Sequence, residues 1–110
     1  MSENEPVIVL VTIADAAQGE KLGQALVEER LAACVQVIPG GTAIYRWHGE
    51  IHHEPQTQLI IKTRRALLPQ LEERVLALHG DEVPELLVLP IIGGLPAYLD
   101  WLSAETSSPV

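Results

Sequence analysis

The stretch WHGEIHHE at residues 47–54 places three of the chain's four histidines within six positions. Imidazole and carboxylate groups are common ligands of zinc, copper and other transition metals. His48, His52 and His53, with two glutamates beside them, therefore have the residue types of a metal site. Whether their side chains converge depends on the secondary structure that carries them.

Strand geometry separates the three imidazoles. A hairpin turn at positions 48–49 puts Tyr45 opposite His52, and because side chains alternate along a strand, His53 points to the other face. A turn shifted by one residue makes His48 and His53 diagonal neighbours and leaves His52 alone. Neither register supplies the three or four ligands of a tetrahedral zinc site. A polar hairpin tip is the favoured interpretation, and a two-histidine site, or one completed by a second subunit, is the alternative.

Two further residues are candidate metal ligands, His79 and Cys34. Thiolate and imidazole suit Cu(I) and Cu(II), so the sequence makes copper a candidate cofactor. Each residue also has a structural explanation. His79 ends a predicted helix, where the helix dipole favours an imidazolium, and Cys34 follows apolar residues at a helix-to-strand junction, where a buried thiol is expected.

Established catalytic motifs are missing from the sequence. PGG and IIGG match neither the Walker nor the dinucleotide-binding pattern, and GxSxG and HExxH are absent. We therefore expect a protein that is not an enzyme.

Composition and charge narrow the class of protein. At 110 residues we expect one domain, 1–110, ordered from about 7 to 102. The net charge of −8 argues against nucleic acid, whose binding requires clustered lysine and arginine. The single cysteine excludes an intrachain disulfide and suits a reducing cytosol. The N-terminal apolar run is too short for a signal peptide or a membrane span, so we expect a cytoplasmic protein with no membrane partner.

The hydrophobic pattern predicts the elements that carry these residues. Continuous or alternating apolar runs indicate strands, and apolar residues spaced three and four apart indicate helices. Pro39-Gly40-Gly41 predicts a bulge. The order β-α-β-β-α-β plus a short closing helix is typical of an α+β, ferredoxin-like sandwich. The predicted strands are 7–13, 34–47, 50–63 and 85–92, and the predicted helices 16–32, 65–79 and 95–102.

The central hairpin is too long for one compact domain. At roughly 3.4 Å per residue each of its strands could span on the order of 40 Å. A compact chain of this length has a diameter of about 34 Å. The projecting end carries Ile44, Tyr45, Trp47 and Ile51, and an exposed ribbon of this kind would aggregate. We therefore expect the hairpin to dock on other copies of the chain in a homo-oligomer.

Five motifs, in this order and spacing from about Val7 to Leu102, resemble the CutA divalent-cation-tolerance family: ERLAACVQVIPG, IYRWHGEI, IIKT, LHGDEVPELLVLPI and YLDWL. The resemblance implies a trimer of ferredoxin-like subunits with interlocking hairpins. It also implies a cytosolic location in bacteria and an association with tolerance of copper and other divalent metals.

Individual residues carry this resemblance. It matches Cys34 to AACV and His79 to the segment H-x-x-x-V-P-E, and it implies an inter-subunit cleft with four candidate residues: Tyr45, Trp47, Lys62 and Glu85. Val11 and Leu78 stand where some members have proposed copper ligands, so a complete copper site is not implied here.

Three functions follow as hypotheses. The first is a homotrimer for divalent-metal tolerance that binds copper or another divalent cation without turnover. The alternative is a signalling or scaffolding trimer similar to the PII proteins, which binds a small anion or a partner's segment through Lys62, Tyr45 and Trp47. The third is an enzyme, for which no residue constellation is found.

Overall fold

The predicted order of strands and helices is confirmed in the computed structural model, which describes residues 3–107. Residues 1, 2 and 108–110 of the predicted domain lie outside the described part. A 3₁₀ turn at Arg65–Leu67 precedes the second helix. The elements are β1 (Pro6–Ile13), α1 (Ala16–Glu28), β2 (Cys34–Trp47), β3 (Glu50–Arg64), α2 (Leu68–Leu78), β4 (Leu86–Pro90) and α3 (Pro96–Glu105).

The strands form one antiparallel sheet in the order β2-β3-β1-β4. This confirms the predicted α+β architecture with a long central hairpin. In the centre of the sheet Val9 of β1 lies opposite Ile61 of β3 and Val88 of β4. The side chains of such a row share one face of the sheet. Every second residue therefore belongs to one of two faces with different surroundings.

The first face packs against the two longer helices and forms the core. β1 is buried at every second residue, from Val7 to Ile13. Full burial of one such aliphatic side chain contributes roughly 1.5–3 kcal/mol. The fully or nearly fully buried partners are Leu22 and Leu26 of α1, Leu59 and Ile61 of β3, and Leu71 and Val75 of α2.

The second face, which we call the open face, carries only α3 among the helices. Leu87 and Leu89 of β4 lie opposite Leu10 and Ile8 on this face and remain about half exposed. α3 covers one end of it, where Arg64 donates hydrogen bonds to the side chain and the carbonyl of Thr106. Much of the apolar surface of the open face is thus left uncovered in a single chain.

Both ends of α1 are fixed by local hydrogen bonds. Asp15 caps the start, as predicted, by accepting from the Gln18 N–H at 2.9 Å. The predicted extension to residue 32 is wrong, because Arg30 adopts the left-handed conformation (φ 58°) and reverses the chain. The N–H groups of Arg30 and Leu31 then bond back to the carbonyls of Val27 and Leu26, which is the Schellman arrangement. Glycine is the usual residue at this position, so an arginine there provides no signal that the helix ends.

The hairpin has the register and bulge that the sequence predicts. His48 (φ 49°) and Gly49 (φ 79°) occupy the turn, and two positive φ values define a type I′ hairpin. The register shifts between Ile38 and Gly41, at the predicted bulge. The chain measures 47 × 26 × 23 Å, so the hairpin makes one axis nearly twice the others. At its tip Ile44 and Ile51 are 65% and 61% exposed.

Candidate functional site: an acidic cleft beside the hairpin

A cleft of about 580 Å³ lies between the hairpin and the loop that follows α2. The hairpin contributes aromatic and polar side chains, and the loop contributes mainly carboxylates. We call this surface the acidic cleft and residues 80–85 the acidic loop. The side chains used below are Tyr45, Trp47, His52 and Glu54 from the hairpin and Asp81, Glu82 and Glu85 from the loop.

Strand pairing places the hairpin residues on one wall of the cleft. Tyr45 lies directly opposite His52, and the neighbouring pair on the same face joins Ala43 to Glu54. The rings of Tyr45 and His52 stack with centroids 5.4 Å apart and an angle of 17° between planes. This wall of the cleft therefore consists of two adjacent cross-strand pairs, and the second pair contributes the Glu54 carboxylate.

The cleft carries negative charge that none of the ion pairs among the described residues neutralises. Glu54, Asp81, Glu82 and Glu85 all line it, and the three ion pairs found in residues 3–107 involve other carboxylates. A hydrogen bond to Glu54 raises the pKa of Tyr45 above its ordinary 10.0, and desolvation and the charges of Glu54 and Asp81 act in the same direction. Uncompensated negative charge beside a phenol favours its neutral form.

The three clustered histidines lie in three different settings. His52 belongs to the cleft wall, whereas His53 lies opposite Ile44 on the other face of the hairpin. His48 occupies the turn, and its ring lies edge-on to the Trp47 ring, with the two centroids 4.8 Å apart. The register with the turn at 48–49 is thus confirmed, and in that register the imidazoles do not meet.

A preformed metal centre does not fit the side chains of one chain. Across positions 3–107 no three His, Cys, Asp or Glu residues converge on a point where an ion could sit. His79 uses both ring nitrogens in hydrogen bonds, to the Thr12 carbonyl and from the Asp81 N–H. A cation in the cleft would therefore meet at most two His, Cys, Asp or Glu ligands from the described part of one chain.

Cys34 and His79 are far apart in the sheet. Cys34 is half-buried on β2 opposite Lys62, whereas Thr12, the contact of His79, lies opposite Gln58. The four-residue separation along β3 corresponds to about 14 Å. One chain cannot bring the two predicted copper ligands together, and the role of each as a ligand stays a prediction.

None of the helices in residues 3–107 is both long and apolar enough to cross a lipid bilayer.

Comparison with known proteins agrees with the motifs and the fold. The profile of the family described as CutA1 divalent ion tolerance protein matches residues 7–105. The chain belongs to the CutA1 family. The predicted resemblance is confirmed, and it extends over nearly all described residues of this CutA1 chain.

Individual CutA1 relatives are similar in sequence and structure. The divalent-cation tolerance protein CutA of Thermus thermophilus is 48% identical over 99 residues, covering 90% of this chain and 96% of that protein. The chloroplastic protein CutA of Arabidopsis thaliana is 44% identical over 91% of this chain, which spans only 55% of the plant protein's length. The crystal structure of CutA1 from Oryza sativa matches with a TM-score of 0.92 at 40% identity, covering 96% of each chain.

The structure separates the four cleft candidates that the CutA1 resemblance implies. Tyr45, Trp47 and Glu85 line the acidic cleft of one chain. Lys62 lies at the far end of β3, where its ammonium is 3.3 Å from the Tyr98 hydroxyl and 5.5 Å from that ring's centroid. Ten residues of strand, roughly 34 Å, separate it from His52. Lys62 can therefore complete this cleft only from another subunit.

Asp81 and Glu82 of the cleft escaped the sequence analysis, and Glu54 entered it only as one of the two glutamates beside the histidines. Glu54 is found by extending the predicted hairpin register by one pair, from Tyr45–His52 to Ala43–Glu54. Asp81 and Glu82 had only a weak signal, the consecutive acids after Gly80. Their contribution depends on the acidic loop lying against the hairpin, and no local pattern specifies that contact.

Proposed function

We propose that this CutA1 family member acts in divalent cation tolerance as a binding protein without turnover, and that the acidic cleft is where cations bind. The observation that carries the proposal is the gathering of four unpaired carboxylates in one cleft, with the Tyr45 pKa raised by Glu54 and Asp81. Uncompensated charge in a concave surface concentrates counter-ions. The family's association with divalent ions points in the same direction.

The ligand groups of the cleft favour a moderate selectivity among divalent cations. Carboxylate oxygens suit hard cations such as Mg²⁺, Ca²⁺ and Mn²⁺, and the His52 imidazole adds a nitrogen that suits copper and zinc. Because no three groups converge in one chain, water or a neighbouring subunit has to supply the remaining ligands. We expect weak binding to a monomer and tighter binding to an assembly.

The assembly we propose is a homotrimer. Its support is the projecting hairpin with Ile44 and Ile51 exposed, the uncovered apolar rows of the open face, and the resemblance to a trimeric family. Exposed apolar surface of this extent is typical of an interface between subunits. We also propose a cytoplasmic location, noting that the Arabidopsis relative is a chloroplastic protein.

Native mass spectrometry of the metal-stripped protein, with and without Cu(II) or Mn(II), tests the proposal. We expect a trimer that takes up a whole number of cations. The variant Glu54→Gln with Asp81→Asn should lose this uptake and remain a trimer. A matched control, Glu72→Gln with Glu73→Gln on the exposed face of α2, removes the same charge elsewhere and should bind like the parent chain. Equal uptake by the cleft variant and the control would refute the assignment of the cleft.

The cleft also supports a second candidate function, the binding of a small organic ligand or a partner's side chain. Its volume is in the range of small-molecule sites, and Tyr45 and Trp47 give it aromatic walls. Cations bind well to aromatic faces beside carboxylates, so we expect the cleft to bind an amine or a guanidinium and not the small anion of the PII-like hypothesis. The kinship with PII proteins is a fold analogy and supplies no ligand. A thermal-shift screen of metals, amines and anions separates the two functions.

A further inference from the structure

A buried histidine links β1 to the start of the acidic loop. His79 is 9% exposed and is the C-cap residue of α2, where the backbone becomes extended (φ −78°, ψ 145°). Its backbone N–H donates to the Val75 carbonyl at 2.8 Å and so closes the helix. The ring then lies between β1 and the start of the acidic loop.

The hydrogen bonds of the ring fix its tautomer. The Asp81 N–H can only donate, so Nδ1, 3.1 Å away, accepts and carries no proton. The Thr12 carbonyl can only accept, so Nε2, 2.5 Å away, carries the proton and donates. Both nitrogens of a neutral imidazole are thus fully used. Neither retains a lone pair for a metal ion.

The two partners of the ring belong to different elements that line the cleft. Thr12 lies in β1, whereas Asp81 is the first carboxylate of the acidic loop. Among the described residues, the bond from Asp81 to His79 is the one hydrogen bond that joins residues 80–85 to the rest of the chain before β4 begins. The neighbouring Gly80 adds no side chain that could hold the loop, and beyond its two chain neighbours the space around it is open.

We propose that His79 is a positioning residue of the cation site: its ring ties the acidic loop to β1 and sets the distance between the loop carboxylates and the Tyr45–Glu54 wall. This inference rests on the proposed function for its consequence, cation affinity, but the tether itself does not. In this arrangement His79 is not a ligand. The imidazole is the part of the family motif that holds the carboxylates in place.

Glutamine is the matched replacement for this role. Its amide offers two N–H donors and a carbonyl acceptor and can replace the one donor and one acceptor of the neutral imidazole, whereas alanine offers neither. We expect His79→Ala to accelerate amide exchange at Asp81 roughly tenfold, the loss of one hydrogen bond, and His79→Gln to restore slow exchange. His53→Ala, on the opposite face of the hairpin, removes an imidazole without touching the loop and serves as control.

Nitrogen-15 spectra of histidine-labelled wild-type protein test the tether independently of any variant. We expect one imidazole with an unprotonated Nδ1 and a protonated Nε2, whose proton exchanges slowly with solvent. A protonated Nδ1, or rapid averaging between tautomers, would overturn the proposal even if His79→Ala failed to fold. Unchanged exchange at Asp81 in a folded His79→Ala variant would overturn it too.

Titration of the metal-stripped proteins with Cu(II) tests the consequence. Affinity should fall about tenfold in His79→Ala, if the carboxylates lose their spacing, and recover in His79→Gln. Equal loss of affinity in both variants, with loop exchange restored in His79→Gln, would identify the ring as a ligand and refute the positioning role. Absence of Cu(II) uptake by the wild type would count against the proposed function alone, because the exchange and nitrogen spectra still decide the tether.

Discussion

A buried hydroxyl at the end of β3 gives a prediction whose size follows from the structure. Thr63 is fully buried, and its hydroxyl donates to the Leu31 carbonyl at 2.7 Å. Leu31 is the residue at which the chain, reversed by Arg30, leaves the end of α1. The bond therefore joins the helix layer to a central strand of the sheet.

Substitution of Thr63 by valine keeps the shape of the side chain and removes the donor. The Leu31 carbonyl then loses its partner, and an unsatisfied buried acceptor costs about 1–3 kcal/mol. The added methyl group returns up to about 0.8 kcal/mol of hydrophobic burial. We expect a net loss of roughly 0.2–3 kcal/mol in the free energy of unfolding. The loss of the bond outweighs the gain of the methyl group.

Urea unfolding at one fixed protein concentration measures this effect, since association makes apparent stability depend on concentration. Thr63→Ser keeps the hydroxyl and loses the methyl group, so it separates the two contributions. Thr42→Val, at an exposed site on β2, should change stability by less than about 0.5 kcal/mol. A Thr63→Val protein as stable as the parent would show that the bond to Leu31 does not support the fold.

Three further predictions follow from other contacts. Glu54→Gln should lower the pKa of Tyr45 towards its ordinary 10.0, because the carboxylate that raises this pKa is lost. Ultraviolet titration in a Tyr98→Phe background isolates the Tyr45 phenol, and an unchanged titration midpoint would contradict the contact between Tyr45 and Glu54. Gly23→Ala should destabilise the protein by about 1 kcal/mol, because the added Cβ would meet Val35 at 3.0 Å, and the overpacking cost of roughly 1–3 kcal/mol exceeds the gain of about 1 kcal/mol in helix propensity. Gly93→Ala, which adds a methyl group in open space, is the control, and equal stabilities of the two variants would argue against tight packing of α1 on β2. Ile44→Ser with Ile51→Ser should shift the protein towards monomers in light scattering, because each isoleucine that becomes buried on association contributes about 1.5–3 kcal/mol to the free energy of association. Leu76→Ser, at an exposed site on α2, is the control and should leave the measured mass unchanged.

The sequence predicted those parts of the fold that depend on local patterns. The strand β1, the Asp15 cap, the bulge near Pro39 and the turn at 48–49 each have a short signature, and all are found where expected, although β1 is buried on one face and not on both. The end of α1 was missed because Arg30 occupies a conformation in which glycine is usual. A left-handed conformation at an ordinary residue leaves no mark in the sequence.

The candidate site was only partly predictable for the same reason. Tyr45 and Trp47 came from a motif, and their common face followed from strand alternation. The opposite wall required knowing that a loop some thirty residues further along the chain lies against the hairpin. His79 shows the difference most clearly. Its residue type suggests a metal ligand, whereas its two hydrogen bonds, visible only in the fold, consume both nitrogens.

The alternation of side chains along the hairpin divides its two roles between its two faces. Tyr45, His52 and Glu54 occupy the face that lines the acidic cleft, and Ile44 and Ile51 occupy the other. Two-residue periodicity lets one ribbon present a polar, chemically active surface and an apolar, associating surface without conflict. A one-residue slip would exchange them, so the type I′ turn and the bulge that fix the register are as necessary to the site as the carboxylates.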